Sequence, residues 1–249
     1  METKYINKSI IKVLVALIIT IIAIPYWFYV GGTILGFIAV RLVAMLIQGI
    51  GSVGIHRWLC HNSFKPNKFG KYLMLTGIVF SGLGKPLYHV LAHNLHHRHT
   101  DNELDPHSPK YLNFWDIAFG RFRINSGFAV PKHVLRDKEV MFVNNHYWTL
   151  YFGFNILLAV IHLPTALIFC PITFVLAWIV APYINYHGHN GQDVANIGPQ
   201  NLSPALSFIA PSGEELHKNH HENPGSYHYD GNGRKDIMRW FIEHVLIKK

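Results

Sequence analysis

The histidines of this chain are grouped in a way that points to metal chemistry. Residues 91–109 read LAHNLHHRHTDNELDPHSP and carry His93, His96 and His97, with His99 and His107 just beyond. On a helix, positions i, i+3 and i+4 share one face, so these three imidazoles are expected to converge on one point. The same spacing recurs at His217, His220 and His221, while His56 and His61 form a pair in HRWLCH. Asn185 to His189 is a further element, at the end of an apolar run. An isolated histidine is ordinarily a packing or surface residue. Two copies of one spacing, joined by two more histidine-bearing elements, read as a metal centre.

His56, His61, His93, His96, His97, His189, His217, His220 and His221 are too many for one tetrahedral zinc, which takes four ligands or three and a water. Two metal ions with four or five nitrogens each would use them all and leave positions open. Imidazole suits iron, zinc, copper and nickel alike, so ligand type does not choose the metal. A redox-active pair beneath apolar helices fits oxidation of a hydrocarbon better than hydrolysis. The parts of hydrolytic and nucleotide-driven sites are missing: the sequence holds no G-x-S-x-G, no G-x-x-x-x-G-K and no H-E-x-x-H. Asp101, Asp105, Glu214 and Glu222 lie near the motifs, where carboxylates commonly orient ligating histidines. Cys60 lies between two histidines and could approach a metal, although a small core residue is the simpler reading; Cys170 reads as packing.

Half of the 249 residues are apolar and only 14% are charged, against roughly 25% in a soluble domain. These proportions describe a single-domain, all-α integral membrane protein. Four transmembrane helices are expected at about 10–30, 33–55, 149–163 and 165–184, turning at Gly31-Gly32 and around Pro164. The first is too long for a signal-peptide core and is read as retained. The second, continued to His61, would outrun the bilayer and carry His56 and His61 into water. Arg41 and Gln48 interrupt it; helix packing is the first reading, a polar wall beside a substrate tunnel the second. Residues 72–87, broken by Gly77, Gly82, Gly84 and Pro86, suggest a re-entrant or interfacial piece leading into a helix at 88–99. Residues 236–249 suggest a helical tail.

The net charge of +8 suits an anionic membrane surface, and no basic run on a soluble module suggests nucleic acid. Twelve Lys or Arg lie in 57–148 and six beyond Asn190, with none in the turns at Gly31 and Pro164. The positive-inside rule therefore puts both termini, and the histidine-box regions 56–148 and 185–249, on the cytoplasmic side as a cap over four spans.

H56-R-W-L-C-H61, H93-N-L-H-H97 and H217-K-N-H-H221 resemble the three histidine boxes of membrane fatty-acid desaturases, most closely the Δ9-type acyl-CoA and bacterial acyl-lipid branch. GIHRWLCHNSF, HNLHHRHTDNELDPHSP, Asn185-x-x-x-His189 and GEELHKNHHENP occur in that family's order along essentially the whole chain. The resemblance implies a di-iron centre on the nine histidines, with Asn185 contributing through water. It also implies dioxygen as co-substrate, a fatty acyl chain carried by CoA, lipid or acyl-carrier protein, and two electrons from a separate ferredoxin or b-type cytochrome. The same scaffold serves lipid hydroxylases, and a metal-binding membrane transporter is the alternative from another class. Asn62, His99, Tyr186, Glu215 and Leu216 depart from the family pattern without touching the ligand set. His187 adds a rival to His189, but the spacing from Asn185 selects His189. An acidic carrier is expected to dock near Arg121, Arg123, Lys132 and Arg136.

Overall fold

The computed structural model describes residues 2–121 and 130–247, with side chains from residue 10 onward. Among them the elements are helical: α1 (Glu2–Tyr29), α2 (Ile34–Val53), α3 (Lys68–Phe80), α4 (Pro86–His99), α5 (Phe114–Ala118), α6 (Lys132–Arg136), α7 (Lys138–His187), α8 (His217–Glu222) and α9 (Arg239–Phe241). Two isolated β-bridges, Pro66 to Ile247 and Gly231 to Arg234, are the extended pairings among these residues.

Among the described residues, three helical stretches are long and apolar enough to cross a membrane: Ile10–Tyr29, Ile34–Cys60 and Lys138–His187. Their outer faces keep large apolar side chains exposed, among them Ile21, Leu35, Leu42, Ile156 and Val160. Such a surface needs a partner other than water. The last stretch is folded on itself. His162 leaves helical geometry at φ −157° and ψ 91°, two residues before Pro164. The rings of Phe154 and Phe169 lie 6.1 Å apart between centroids. Fifteen residues of unbroken helix would separate them by about 22 Å. α7 is therefore an antiparallel hairpin with arms 138–161 and 163–187, and the expected segments 149–163 and 165–184 fall almost entirely within them. His162 Nδ1 lies 2.8 Å from Thr165 Oγ1 and accepts the Thr165 N–H at 3.3 Å, which caps the second arm where proline has no N–H to offer.

α2 begins at Thr33, whose hydroxyl accepts the Gly36 N–H at 3.0 Å, and continues beyond Val53 into a π-helical stretch, Gly54–Cys60. α3, capped by Asn67, runs back antiparallel along it. Gly51 packs on Gly77 and Gln48 donates to the Ser81 carbonyl at 3.2 Å, so later residues of α3 meet earlier residues of α2. The backbones touch at that crossing: a Cβ on Gly77 would lie 2.6 Å from the Gly51 nitrogen. Residues 68–80 thus return along α2, and α4 comes back toward the histidines, starting two residues earlier than the sequence suggested.

Arg41 does the work of helix packing. Its Nη1 donates to the Ile168 and Phe169 carbonyls and to Thr173 Oγ1 at 3.2–3.5 Å, tying α2 to the second arm of α7. The main core lies beneath the histidine-bearing segments. Val53, Ile55, Trp58, Met74, Ile78, Val90, Val140, Ile242 and Leu246 meet there, so the π-helical stretch, α3, α4, α7 and the C-terminal segment share one support. Each such side chain contributes about 1.5–3 kcal/mol by leaving water. Cys60 belongs to this core, and Cys170 is buried beside Ala44 and Phe169. The tail expected at 236–249 is short helix, Arg239–Phe241, followed by a π turn, Ile242–Leu246.

Candidate metal centre

His56 and His61 are five residues apart. On an α-helix that spacing turns through about 140° and points the rings to different faces. The π-helical winding of Gly54–Cys60 removes the difficulty: the His61 N–H reaches the His56 carbonyl at 3.2 Å, and the two rings approach to 5.1 Å. π-Helical turns recur at functional sites for this kind of reason. Box-one spacing becomes intelligible once the winding is known.

The nine histidines fall into two groups. In one, His56, His61, His93, His97 and His220 place their ligand nitrogens within 4.8 Å of one another; in the other, His96, His189, His217 and His221 do the same. The expectation that an H-x-x-H-H triplet converges on one point is corrected here. Positions i and i+4 diverge by about 40° and stay together, whereas i+3 diverges from i+4 by about 100°. His93 and His97 therefore serve the first group while His96 serves the second. α8 does the reverse: His217 and His221 join the second group and His220 the first. Each of the two helices thus bridges both groups.

Carboxylates hold the outer nitrogens. His56 Nδ1 lies 2.8 Å from Glu214, His96 Nδ1 2.8 Å from Asp105, and His189 Nδ1 2.8 Å from Asp101. With a proton on Nδ1 donated outward, each of these rings presents an Nε2 lone pair inward. There His56 meets His220 at 3.1 Å, His96 meets His221 at 3.3 Å, and His189 meets His217 at 2.9 Å, all between Nε2 atoms. Each of these lone pairs faces a second imidazole nitrogen at 2.9–3.3 Å, and a cation inside each group gives the converging nitrogens one target. The donor set fits two metal ions.

The acidic loop is built to hold its carboxylates still. Asp105 accepts the backbone N–H of Asp101 at 2.9 Å and of His107 at 3.0 Å, and Asp101 accepts the Ser108 hydroxyl at 2.9 Å. His96, Asp105 and His107 also lie within ligand distance of one another. Because both Asp105 oxygens are already engaged, that trio reads as support for His96. Glu214 reaches His56 because Gly213 precedes it at φ +81°, packed against Arg57 and Asp236 where a Cβ has no room. Glu222 lies exposed, 3.9 Å from Lys218 and away from both groups.

Sequence reasoning missed the brace under box one. Arg57 is fully buried, pairs with Asp236, donates to the Ser212 carbonyl at 2.6 Å and the Tyr227 carbonyl at 3.0 Å, and covers the Tyr229 ring at 3.9 Å. Tyr229 in turn packs on His220 with ring centroids 4.7 Å apart. The only signal was an arginine inside HRWLCH; its partner lies 179 positions away.

Asn185 sits half-buried in the last turn of α7, one turn before His189. His187 turns away, with Nδ1 2.9 Å from Gln192 Oε1 and its ring against Tyr183. Alanine at His187 is accordingly expected to leave metal content unchanged, whereas alanine at His189 lowers it. The reverse order in a metal assay would overturn the placement. His89 stacks on His93 at 6.0 Å but belongs to neither group.

Burial, followed by the neighbouring imidazoles, pushes His93, His96, His217 and His220 well below the ordinary histidine value, and His61, His97 and His221 down to about 2. Burial pushes Asp105 up to about 6, against the two backbone N–H donors. Glu214 is lowered: desolvation raises it, but His56 and Arg57 together outweigh that. All seven imidazoles are held neutral, the form that binds metal. Between their folded values and about 6.5, the unfolded chain binds more protons than the folded one, so stability rises with pH across that window. Metal-free protein is therefore expected to lose stability on acidification from pH 7 to 5, by up to about 1.4 kcal/mol per pH unit for each fully buried imidazole. Thermal melts across that range check the slope; a flat profile would contradict it.

A family model for fatty acid desaturases matches residues 32–240. An acyl-CoA 5-desaturase of Anemone leveillei is 28% identical over 212 residues, which is 77% of this chain and 60% of the relative. The sn-1 stearoyl-lipid 9-desaturase of Anabaena variabilis is 24% identical over 188 residues, 72% of this chain and 69% of the relative. Delta-9 acyl-lipid desaturase 2 of Arabidopsis thaliana is 43% identical over 77 residues, 29% of this chain and 25% of the relative. The chain thus spans 60% or less of the length of the Anemone and Arabidopsis relatives.

Proposed function

We propose that this chain, which belongs to the fatty acid desaturase family, is a membrane-bound di-iron acyl desaturase, probed best as a Δ9-type enzyme, with residues 1–249 as one desaturase domain. The observation that carries the reading is the division of nine histidines into groups of five and four, bridged by α4 and α8. His56, His61, His93, His97 and His220 would hold one iron and His96, His189, His217 and His221 the other, with Asn185 acting through water. Bound iron would supply activation of dioxygen, so that two hydrogens leave an adjacent methylene pair while dioxygen, two electrons and two protons become two waters.

The protein's own part is placement. Glu214, Asp105 and Asp101 fix His56, His96 and His189, so these three rings keep their orientation when charge changes at the centre. A narrow pocket of about 60 Å³ lies between α2 and the second arm of α7, lined by Gly49, Ser52, Ala177, Ala181, Ile184 and Glu214. Its small apolar walls, Gly49, Ala177, Ala181 and Ile184, face Gln48, Ser52 and Glu214 and leave room for only a short stretch of hydrocarbon beside Glu214, which reaches His56. Holding an unactivated methylene pair at one depth decides which carbons react, and apolar walls exclude water.

The membrane arrangement completes the proposal: α1, α2 and the two arms of α7 as four spans, with both termini and the centre on the cytoplasmic side. Electrons come from a separate small carrier, a ferredoxin or b-type cytochrome, on the basic face. Lys132 and Arg136 are exposed on α6, Arg121 pairs with Asp116 at 3.1 Å, and Arg123 lies outside the described residues. The acyl carrier is CoA, a glycerolipid or acyl-carrier protein. Expression in a desaturase-deficient host, with mass spectrometry of lipid and thioester pools, tests the reading: a cis-monounsaturated product is expected in one pool first. A hydroxylated product would instead favour the hydroxylase on this scaffold.

A further inference from the structure

A groove of about 740 Å³ runs along the outside of the molecule between α3 and the first arm of α7. Its walls are Tyr72, Leu75, Val79, Phe142, Phe154 and Leu157. Residues from Lys138 to Leu157 line it, a rise of about 28 Å, close to the roughly 30 Å hydrocarbon core of a bilayer. Tyr72, Phe142 and Leu157 are exposed along its rim. No histidine lines it, and its inner wall, Leu75, Val79 and Val143, is the core that also packs Ile55, Trp58 and Val90. Whatever lies there is separate from the metal centre.

One end is polar. Lys71 bridges Asp137 at 2.7 Å and Glu139 at 3.1 Å, which uses the local carboxylates. Lys138 is exposed at the groove mouth with no ion pair among the described residues, and Lys68 is exposed one turn before Tyr72. Lys68, Lys71 and Lys138 against Asp137 and Glu139 leave these two helix starts with a net positive charge. A long apolar groove closed by a cationic end matches one chemistry: an acyl tail with an anionic headgroup.

We propose that this groove is a binding site for an anionic phospholipid of the bilayer, one acyl chain lying between α3 and α7 and the phosphate beside Lys138. The site buttresses α3, whose far end meets α7 at Phe80 and Phe154, 4.1 Å between ring centroids. The inference rests on the α7 hairpin lying in a bilayer but not on the reaction. Flotation of the chain with vesicles tests the bilayer premise by itself.

Gly153 offers the decisive variant. It is exposed in the groove, and a Cβ there meets nothing within 4 Å, so a larger side chain fills the groove without displacing a neighbour. The probe is phosphatidylglycerol with a photoreactive acyl chain, in nanodiscs of otherwise phosphatidylcholine, read as crosslinking at residues of α3 and α7. G153F is expected to lower crosslinking at least about tenfold, since its ring excludes several methylenes of the acyl chain from the groove. K138E is expected to lower it about fivefold for phosphatidylglycerol and to spare a phosphatidylcholine probe. Metal content and melting temperature of both variants should match the parent. Equal crosslinking in G153F, or an equal effect of K138E on both lipids, would overturn the proposal. So would native mass spectrometry showing a fatty acyl thioester, or a second copy of the chain, as the species that G153F displaces.

Discussion

Replacing His96 with alanine is expected to cost the protein one metal ion, and replacing His220 is expected to cost it less. His96 is one of four nitrogens in its group, and its loss leaves His189, His217 and His221. His220 is one of five, and its loss leaves His56, His61, His93 and His97, still enough for a four-coordinate ion. The difference is sharpened by what surrounds each ring. Removing His96 also leaves the buried Asp105 carboxylate without the 2.8 Å contact that uses its charge. His220 has no carboxylate partner among the described residues; it is placed by packing on Tyr229. Metal analysis after purification should give about one ion per chain for His96→Ala and close to the parent content for His220→Ala at saturating metal. Turnover should be abolished in both, because the reacting carbons must meet a complete centre. Retention of full metal by His96→Ala would show that the groups are not divided as proposed.

The second large effect is structural and lies at Arg57 and Asp236. Both side chains are wholly buried and paired, and the pair joins the π-helical stretch to the C-terminal segment. Asp236 also accepts the Tyr229 and Met238 backbone N–H groups at 2.9 Å, while Arg57 holds the Ser212 carbonyl beside Gly213 and Glu214. Asp236→Ala leaves a guanidinium buried without its counter-charge, which costs about 3–5 kcal/mol. In a chain of this size that corresponds to a fall in melting temperature of about 10 °C. The double variant Arg57→Met with Asp236→Leu removes both charges and should melt above either single one. Thermal unfolding of the metal-free proteins gives the comparison; a double variant that melts no higher than the worse single one would mean that charge pairing is not the origin of the loss. Metal affinity should fall in every one of these variants, since Glu214 and Tyr229 both lean on the brace.

The ligand candidates were legible because their spacing is local. His93, His96 and His97 announce one another within a single helical turn, and so do His217, His220 and His221. What local spacing hides is direction. The division of each triplet between two groups depends on where α4 and α8 face one another, and that is set by packing between residues more than a hundred positions apart. The π winding at 54–60 was hidden for a different reason: its sequence, GIHRWLC, has the composition of ordinary helix, and only the i to i+5 hydrogen bond reveals it. Arg41 and Gln48 were visible as polar residues in an apolar segment, but their partners are backbone carbonyls and Thr173 on other helices. The long apolar helices were plain from hydropathy. Their exact extent was not, because the arms of α7 run on past the apolar core into polar turns that carry Asp137 at one end and His187 at the other.

The most direct test of the di-iron desaturase reading is an iron titration of metal-free protein, with turnover of an acyl substrate followed at each addition in the presence of dioxygen and a reduced carrier. Turnover is expected to be absent without iron, to rise with iron, and to saturate at two iron ions per chain, one for each histidine group. Saturation at one iron per chain, equal turnover with zinc, or full turnover in the iron-free protein would contradict it.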